Sequence, residues 1–372
     1  MTMGTTMNRR ELIKISGGIA AGIAAASASP SVVAQVPMAN ELINLSGNEN
    51  PYGPSPAVLE VLNQSTAIAN RYSYDIQKEL VKDIARKEGV NPEQIVFCSG
   101  STEAIYSTMM AYMSHGGEAV TAELTHGLVF QFARATGGTV TKVPLNSDLE
   151  YDLDALHARV TPDTKLVYFC NPNNPTGTLI DGDNLRDFCT SLPKDTIALI
   201  DEAYLEYTDD FPRSSMVDLV RAGHNVVVTR TFSKIHGLAG LRVGYAIASP
   251  EAAERIAMYK VCRFQGPLGV VAAQVSLNDA EWQNFCRAKN KEGREVVYKL
   301  CEDLGLDYVR ASGNFVFFDP KMPYASYNER LLAQGILGAR QFPIKDDWAR
   351  ITIGTTEEMA VFAKALLAVI GV

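Results

Sequence analysis

Between about residue 95 and residue 250, short apolar runs alternate with longer stretches of helical period. The runs are Ile95-Val96-Phe97-Cys98, Glu118-Ala119-Val120-Thr121, Thr139-Val140-Thr141-Lys142-Val143, Leu166-Val167-Tyr168-Phe169, Ile197-Ala198-Leu199-Ile200, Val226-Val227-Val228 and Val243-Gly244-Tyr245-Ala246-Ile247. Seven short strands separated by helix-length segments predict an α/β fold with a mostly parallel sheet covered on both faces. From about Glu281 the pattern changes to a long charged helix, a strand around 314–318, a strand around 349–353 and a closing helix. That tail, with residues 35–70, is expected to form a smaller domain (276–372) beside a large one (71–275). In open sheets of this kind ligands gather beyond the carboxyl ends of the strands.

The first residues differ from everything after them. Asn8-Arg9-Arg10-Glu11-Leu12-Ile13-Lys14 is basic, residues 15–26 are weakly apolar and rich in Gly and Ala, and Val32-Val33-Ala34 offers small residues for cleavage before Gln35. That order is expected of a secretory signal over residues 1–34. Its paired arginines resemble the twin-arginine type, which addresses folded proteins for export and so implies a periplasmic location. The apolar run is too short to span ~30 Å of hydrocarbon, so no stable membrane insertion is expected.

At 372 residues and 47% hydrophobic, the chain can bury a large core, and its net charge of -8 gives no broad electrostatic reason to bind nucleic acid. A small-molecule partner is expected instead. The six cysteines lack close pairing and are expected to be buried fillers, and the five histidines fall in no metal-binding frame.

Chemistry concentrates after the strands. Thr231-Phe232-Ser233-Lys234 follows one apolar run, with Arg242 eight residues beyond the lysine. A lysine at the end of a buried strand is desolvated, which lowers its pKa and favours Schiff-base formation. Thr231, Ser233 and Arg242 are suited to a phosphate on the same ligand. Asp201-Glu202-Ala203-Tyr204 closes the preceding strand; a carboxylate there can hold a pyridine nitrogen protonated, or simply cap a helix. Asn171-Pro172-Asn173-Asn174-Pro175-Thr176-Gly177 makes a rigid turn, and its functional reading gives Asn174 the phenolic oxygen of the ligand.

Together these motifs resemble a class I/II aminotransferase of the fold-type I pyridoxal-phosphate group, in the histidinol-phosphate aminotransferase branch. Asn48-Glu49-Asn50-Pro51-Tyr52-Gly53-Pro54 and Arg71-Tyr72-Ser73-Tyr74-Asp75 are similar to two further blocks of that branch. The resemblance implies pyridoxal 5'-phosphate as cofactor, Lys234 as the Schiff-base lysine and general base, Asp201 on the pyridine nitrogen and Tyr204 on the phenolic oxygen. Ser101 and Thr102 match the phosphate-binding turn at a helix start. Tyr72 would reach the phosphate of a partner subunit, making a homodimer the expected unit. Tyr52, Asn314 and Arg350 match substrate-binding positions, with Arg350 gripping the α-carboxylate.

Two positions depart from the branch. Leu124-Thr125-His126 stands where a tyrosine or phenylalanine usually covers the cofactor ring, and Gly335-Ile336-Leu337-Gly338-Ala339-Arg340 is one residue longer than the usual spacing before a phosphate-reading arginine. His126 is expected over the ring and Arg340 at the substrate's far end. The expected reaction moves an amino group between an L-amino acid, or a related amine such as histidinol phosphate, and a 2-keto acid. The alternative on the same scaffold is an amino-acid oxidase using dioxygen.

Overall fold

The computed structural model describes residues 42–371; the expected export signal lies outside the described residues. All seven expected strands form. They are β2 (Ile95–Cys98), β3 (Glu118–Ala122), β4 (Thr139–Val143), β5 (Thr164–Cys170), β6 (Ile197–Asp201), β7 (Val226–Thr231) and β8 (Gly244–Ile247), preceded by the short β1 (Ile43–Asn44). They build one sheet in the order β2-β8-β7-β6-β5-β3-β4. Its pairings are parallel from β4 across to β7, while β8 runs antiparallel to both β7 and β2.

Alternation along the central strands feeds two separate cores. Val167, Phe169, Ala198, Ile200, Val226 and Val228 pack on one face, and Leu166, Tyr168, Ile197, Leu199 and Val227 on the other. A strand apolar on both sides has to be covered twice, which is why these runs read as continuous apolar stretches. The same alternation decides which polar groups at the strand ends share a face. Asp201 and Thr229 continue the second face, whereas Glu202 and Arg230 turn to the first, where Arg230 is paired with Glu202 and Glu88 in a buried network.

A second sheet orders β12 (Ala349–Thr352), β10 (Phe315–Phe318) and β9 (Tyr308–Val309), antiparallel throughout. The helices Ala280–Leu304 and Thr356–Ile370 back it through Val297, Phe362 and Leu366. The 42–70 segment is shared between the two bodies. β1 pairs in parallel with β11 (Ile336–Leu337) near the smaller sheet, whereas the helix Pro56–Ser65 buries Val58 in the larger core. Five cysteines are buried as expected. Cys262 is not: it is exposed, in a stretch where Met258 and Val261 are also exposed.

Two glycines permit a close approach that matters below. A Cβ on Gly244 would sit 2.5 Å from the Gly100 carbonyl carbon and 2.6 Å from the Ser101 nitrogen, so β8 lies directly against the start of the helix Gly100–Met113. Gly100 itself has φ +78° and leaves room for the Arg242 guanidinium, which a Cβ would meet at 2.5 Å.

Candidate active site

A cavity of about 390 Å³ opens at the carboxyl ends of the strands, lined by Gly47, Glu49, Ser101, Thr102, His126, Asp201, Ala203, Tyr204, Thr231, Ser233, Lys234, Ala239, Gly240 and Arg242. Nine of the residues singled out in the sequence therefore meet in one place, delivered by the ends of, or the segments following, β2, β3, β6 and β7.

Lys234 projects its Nζ toward the carbonyls of Asn48, at 2.9 Å, and Gly47, at 3.2 Å. Burial lowers its pKa to about 8, and the Arg350 charge pushes in the same direction. Its turn is held by Asn50, whose Nδ2 donates to the Ile235 carbonyl at 2.8 Å. Asp201, 2% exposed, accepts from Thr229 Oγ1 at 3.1 Å and from the Tyr168 hydroxyl at 3.3 Å. Burial outweighs these bonds and raises the carboxyl pKa to about 6, so the group awaits a cationic partner.

The Tyr204 hydroxyl accepts from Asn174 Nδ2 at 3.2 Å and from Asn48 Nδ2 at 3.1 Å, and burial raises its pKa. Asn174 bridges onward, its Oδ1 accepting from Arg350 Nη1 at 2.6 Å. Arg350, on β12 opposite Phe317, also donates from Nη2 to the Ser46 carbonyl at 2.7 Å and lies between the rings of Phe315 and Phe342. Its burial lowers the guanidinium pKa to about 10. Asn314 Nδ2 donates to the Glu49 carbonyl at 3.1 Å.

On the other side, Arg242 Nη1 donates to Ser233 Oγ at 3.2 Å and Nη2 to the Ser99 carbonyl at 3.3 Å, with Thr231 Oγ1 donating to Ser233 Oγ at 2.9 Å. These groups surround the start of the helix Gly100–Met113, whose first N–H groups have no intrahelical acceptor and carry the positive end of the helix dipole.

Six sequence-derived residues fall outside the cavity lining: Asn174, Asn314 and Arg350, which the bonds above tie to its neighbourhood, and Tyr52, Tyr72 and Arg340. Tyr72 is 86% exposed against Phe264, Tyr52 packs on Phe285 with its hydroxyl 3.5 Å from Thr356 Oγ1, and Arg340 is exposed beside the Phe342 ring. The sequence reading gave no role to Asn48, Glu49, Tyr168 or Thr229. Asn48 and Glu49 sat inside a quoted motif. Tyr168 and Thr229 carried one available signal, a hydroxyl at the period-2 position sharing Asp201's face.

The pattern for class I and II aminotransferases matches residues 40–366. The chain belongs to this family. It is 36% identical over 322 residues to the histidinol-phosphate aminotransferase of Brevibacillus brevis, covering 86% of this chain and 87% of the relative. The counterpart from Moorella thermoacetica is 36% identical over 331 residues, covering 88% and 85%. The structure of the Sinorhizobium meliloti histidinol-phosphate aminotransferase in complex with pyridoxal-5'-phosphate superposes with a TM-score of 0.82 at 27% identity, covering 88% of this chain and 90% of that one. The architecture is thus the fold-type I transferase fold, and the chain is an aminotransferase.

The residues present fit the cofactor that such a fold implies. A buried carboxyl of raised pKa suits a protonated ring nitrogen. A buried amine of lowered pKa suits a carbonyl carbon. A helix start with an adjacent arginine suits a phosphate.

Proposed function

We propose that the chain is an exported, homodimeric aminotransferase that moves an amino group from a free L-amino acid to a 2-keto acid, with Lys234 at the reacting centre. The observation that carries this reading is the single cavity in which the desolvated Lys234 amine faces Asp201 and Tyr204 while the helix start and Arg242 form a separate anion cradle. The cofactor is pyridoxal 5'-phosphate, which would be held by Lys234 through its amine, by Asp201 at the ring nitrogen, by Tyr204 and Asn174 at the phenolic oxygen and by Ser101, Thr102, Thr231, Ser233 and Arg242 at the phosphate. When bound it supplies an electron-poor ring that takes up the charge developing at the substrate Cα.

The protein's own groups do the rest. Arg350 fixes the substrate carboxylate and so aims one Cα–H bond at Lys234. With its amine free, Lys234 would serve as the base for that proton, and its lowered pKa favours the neutral form that can accept it. Asp201, charged beside a cationic ring nitrogen, keeps the accumulating charge where it is stabilised.

Arg350→Ala is expected to raise KM for amino acids about a hundredfold, since charge-assisted hydrogen bonds contribute ~1.5–3 kcal/mol each, and to change kcat much less. Steady-state kinetics check this, and an unaltered KM removes Arg350 from substrate binding.

Two further parts of the proposal rest on other features. Tyr72 is 86% exposed against Phe264, and Val261 and Met258 in the chain just before that ring are 78% and 72% exposed; apolar exposure of this kind suits a second copy, which would bring Tyr72 to that copy's phosphate cradle. The twin arginines and small-residue cleavage site support export to the periplasm after folding. The test of the activity is direct. Each of twenty amino acids is added to cofactor-loaded protein without an acceptor, and absorbance and dissolved oxygen are followed. A spectral change that a 2-keto acid reverses, with no oxygen uptake, supports the reading; no response to any amine, or sustained oxygen uptake, overturns it.

A further inference from the structure

The turn that carries Lys234 is closed by two backbone bonds, from the Gly237 N–H to the Lys234 carbonyl at 2.9 Å and from the Leu238 N–H to the Phe232 carbonyl at 3.0 Å. Its tip is anchored by a side chain outside the cavity. His236, 3% exposed, lies with its Nδ1 2.8 Å from Ser276 Oγ and its Nε2 3.3 Å from Glu206 Oε1, and its ring centre is 4.6 Å from that of Phe232. Glu206 belongs to the short turn Leu205–Tyr207 that follows Tyr204, and its carbonyl accepts from Arg287 Nε at 3.0 Å. Two positions beyond each of two site residues, Lys234 and Tyr204, the chain therefore supplies the halves of one buried bond.

We propose that His236 is a positioning residue for the aminotransferase reaction: its bonds to Glu206 and Ser276 clamp the turn of Lys234 to the turn of Tyr204, so that the amine and the phenol keep one fixed placement at the cavity. The inference rests on the aminotransferase reading and on Lys234 at its centre. His236 itself does not line the cavity and acts only through the two turns.

The chemistry of the pair favours this role. Burial works against a charge on Glu206, yet the adjacent His236 holds its carboxyl down at about 2. A charged carboxylate only accepts, so Nε2 carries the proton and donates. A hydrocarbon in this buried place would avoid desolvating a carboxylate; what the bond adds is direction, because it persists only while both turns keep their places. Gly237, at φ +70°, constrains the turn further. A Cβ there would meet the Gly53 carbonyl oxygen at 2.2 Å, so the turn has no room to slide toward that segment. The Lys234 amine has its lowered pKa chiefly because it is buried, and a loosened turn would let water reach it and remove that property.

The experiment compares wild type, His236→Phe and His236→Gln, first as cofactor-free full chains. The pKa of Lys234 is read from the pH dependence of its arylation by fluorodinitrobenzene, located by peptide mass analysis. Phenylalanine keeps a ring on Phe232 and loses both bonds; glutamine keeps a donor toward Glu206. We expect His236→Phe to move the Lys234 pKa from about 8 toward its ordinary value, leaving about tenfold less free amine at neutral pH, and His236→Gln to recover most of the loss. The charges near that amine, Arg350, Glu49, Asp201 and Arg242, are the same in both variants, so a shift reports the burial of the amine. In cofactor-loaded His236→Phe, kcat should fall about tenfold while KM for amino acids changes less than about twofold. If the unpaired Glu206 prevents folding, His236→Phe combined with Glu206→Gln removes that charge and is measured in its place. A wild-type Lys234 pKa in the folded variant, whatever its melting temperature, means that the pair only supports the fold and overturns the proposal alone. Failure of the wild type to form a reducible adduct with pyridoxal phosphate overturns the aminotransferase reading and this proposal with it.

Discussion

Replacing Lys234 by alanine is expected to abolish the borohydride-stable link between protein and cofactor and to reduce turnover by a factor of about 10⁴ or more, the upper range for a positioned acid–base group. The size of the effect follows from the environment. A lysine whose pKa falls from 10.5 to about 8 has its free-amine fraction at neutral pH raised by more than about a hundredfold, and in this cavity no other amine can replace it. The variant should still retain cofactor without a covalent bond, because the Ser233–Arg242 cradle and Asp201 are untouched. Borohydride reduction followed by peptide mass analysis, alongside absorbance of the bound cofactor, checks both halves. A reduced adduct on the alanine variant moves the attachment to another residue, and wild-type turnover without Lys234 removes it from the chemistry.

Much of the architecture was legible because it rests on local rules. Runs such as Val226-Val227-Val228 are apolar on both sides of a strand and so demand two covering layers, and their spacing leaves room only for crossover helices. The residues Asp201, Lys234 and Asn174 were legible because three polar motifs follow successive buried strands, where ligands gather in open sheets, although a cap or a turn could account for any one of them alone. What the local pattern could not place depends on distant pairing. Arg350 was named through the family resemblance alone; it faces the site because β12 pairs with β10 in the register that sets it opposite Phe317, and it meets Asn174 across 176 positions of chain. Asn48 acts on Lys234 and Tyr204 from a segment with almost no secondary structure of its own, so no periodicity could announce it. The helix Pro56–Ser65 shows the same limit: its one buried side chain, Val58, does not say which of two cores receives it.

Asp201→Asn separates charge from shape, and it is expected to lower turnover about a thousandfold while weakening cofactor binding far less. Asparagine occupies the same space and can accept from one of the Thr229 and Tyr168 hydroxyls while its NH2 donates to the other, yet it cannot hold a ring nitrogen protonated, so the electron-poor character of the cofactor is lost. Cofactor retention with normal turnover in this variant would exclude Asp201 from its assigned role. The cofactor-free protein provides an independent check through pH. Its Asp201 carboxyl is raised from 3.8 to about 6, so the native state binds the extra proton between those values. Stability contributed by that proton is present at low pH and lost as pH rises through about 6, amounting to ~3 kcal/mol as an upper bound. Thermal unfolding of the cofactor-free chains should therefore find Asp201→Asn more stable than wild type at neutral pH, with the difference shrinking toward pH 4. Adding pyridoxal phosphate should shrink that difference, because a cationic ring nitrogen turns the buried carboxylate from a liability into half of an ion pair. A difference that cofactor leaves unchanged would mean that Asp201 and the ring nitrogen do not meet.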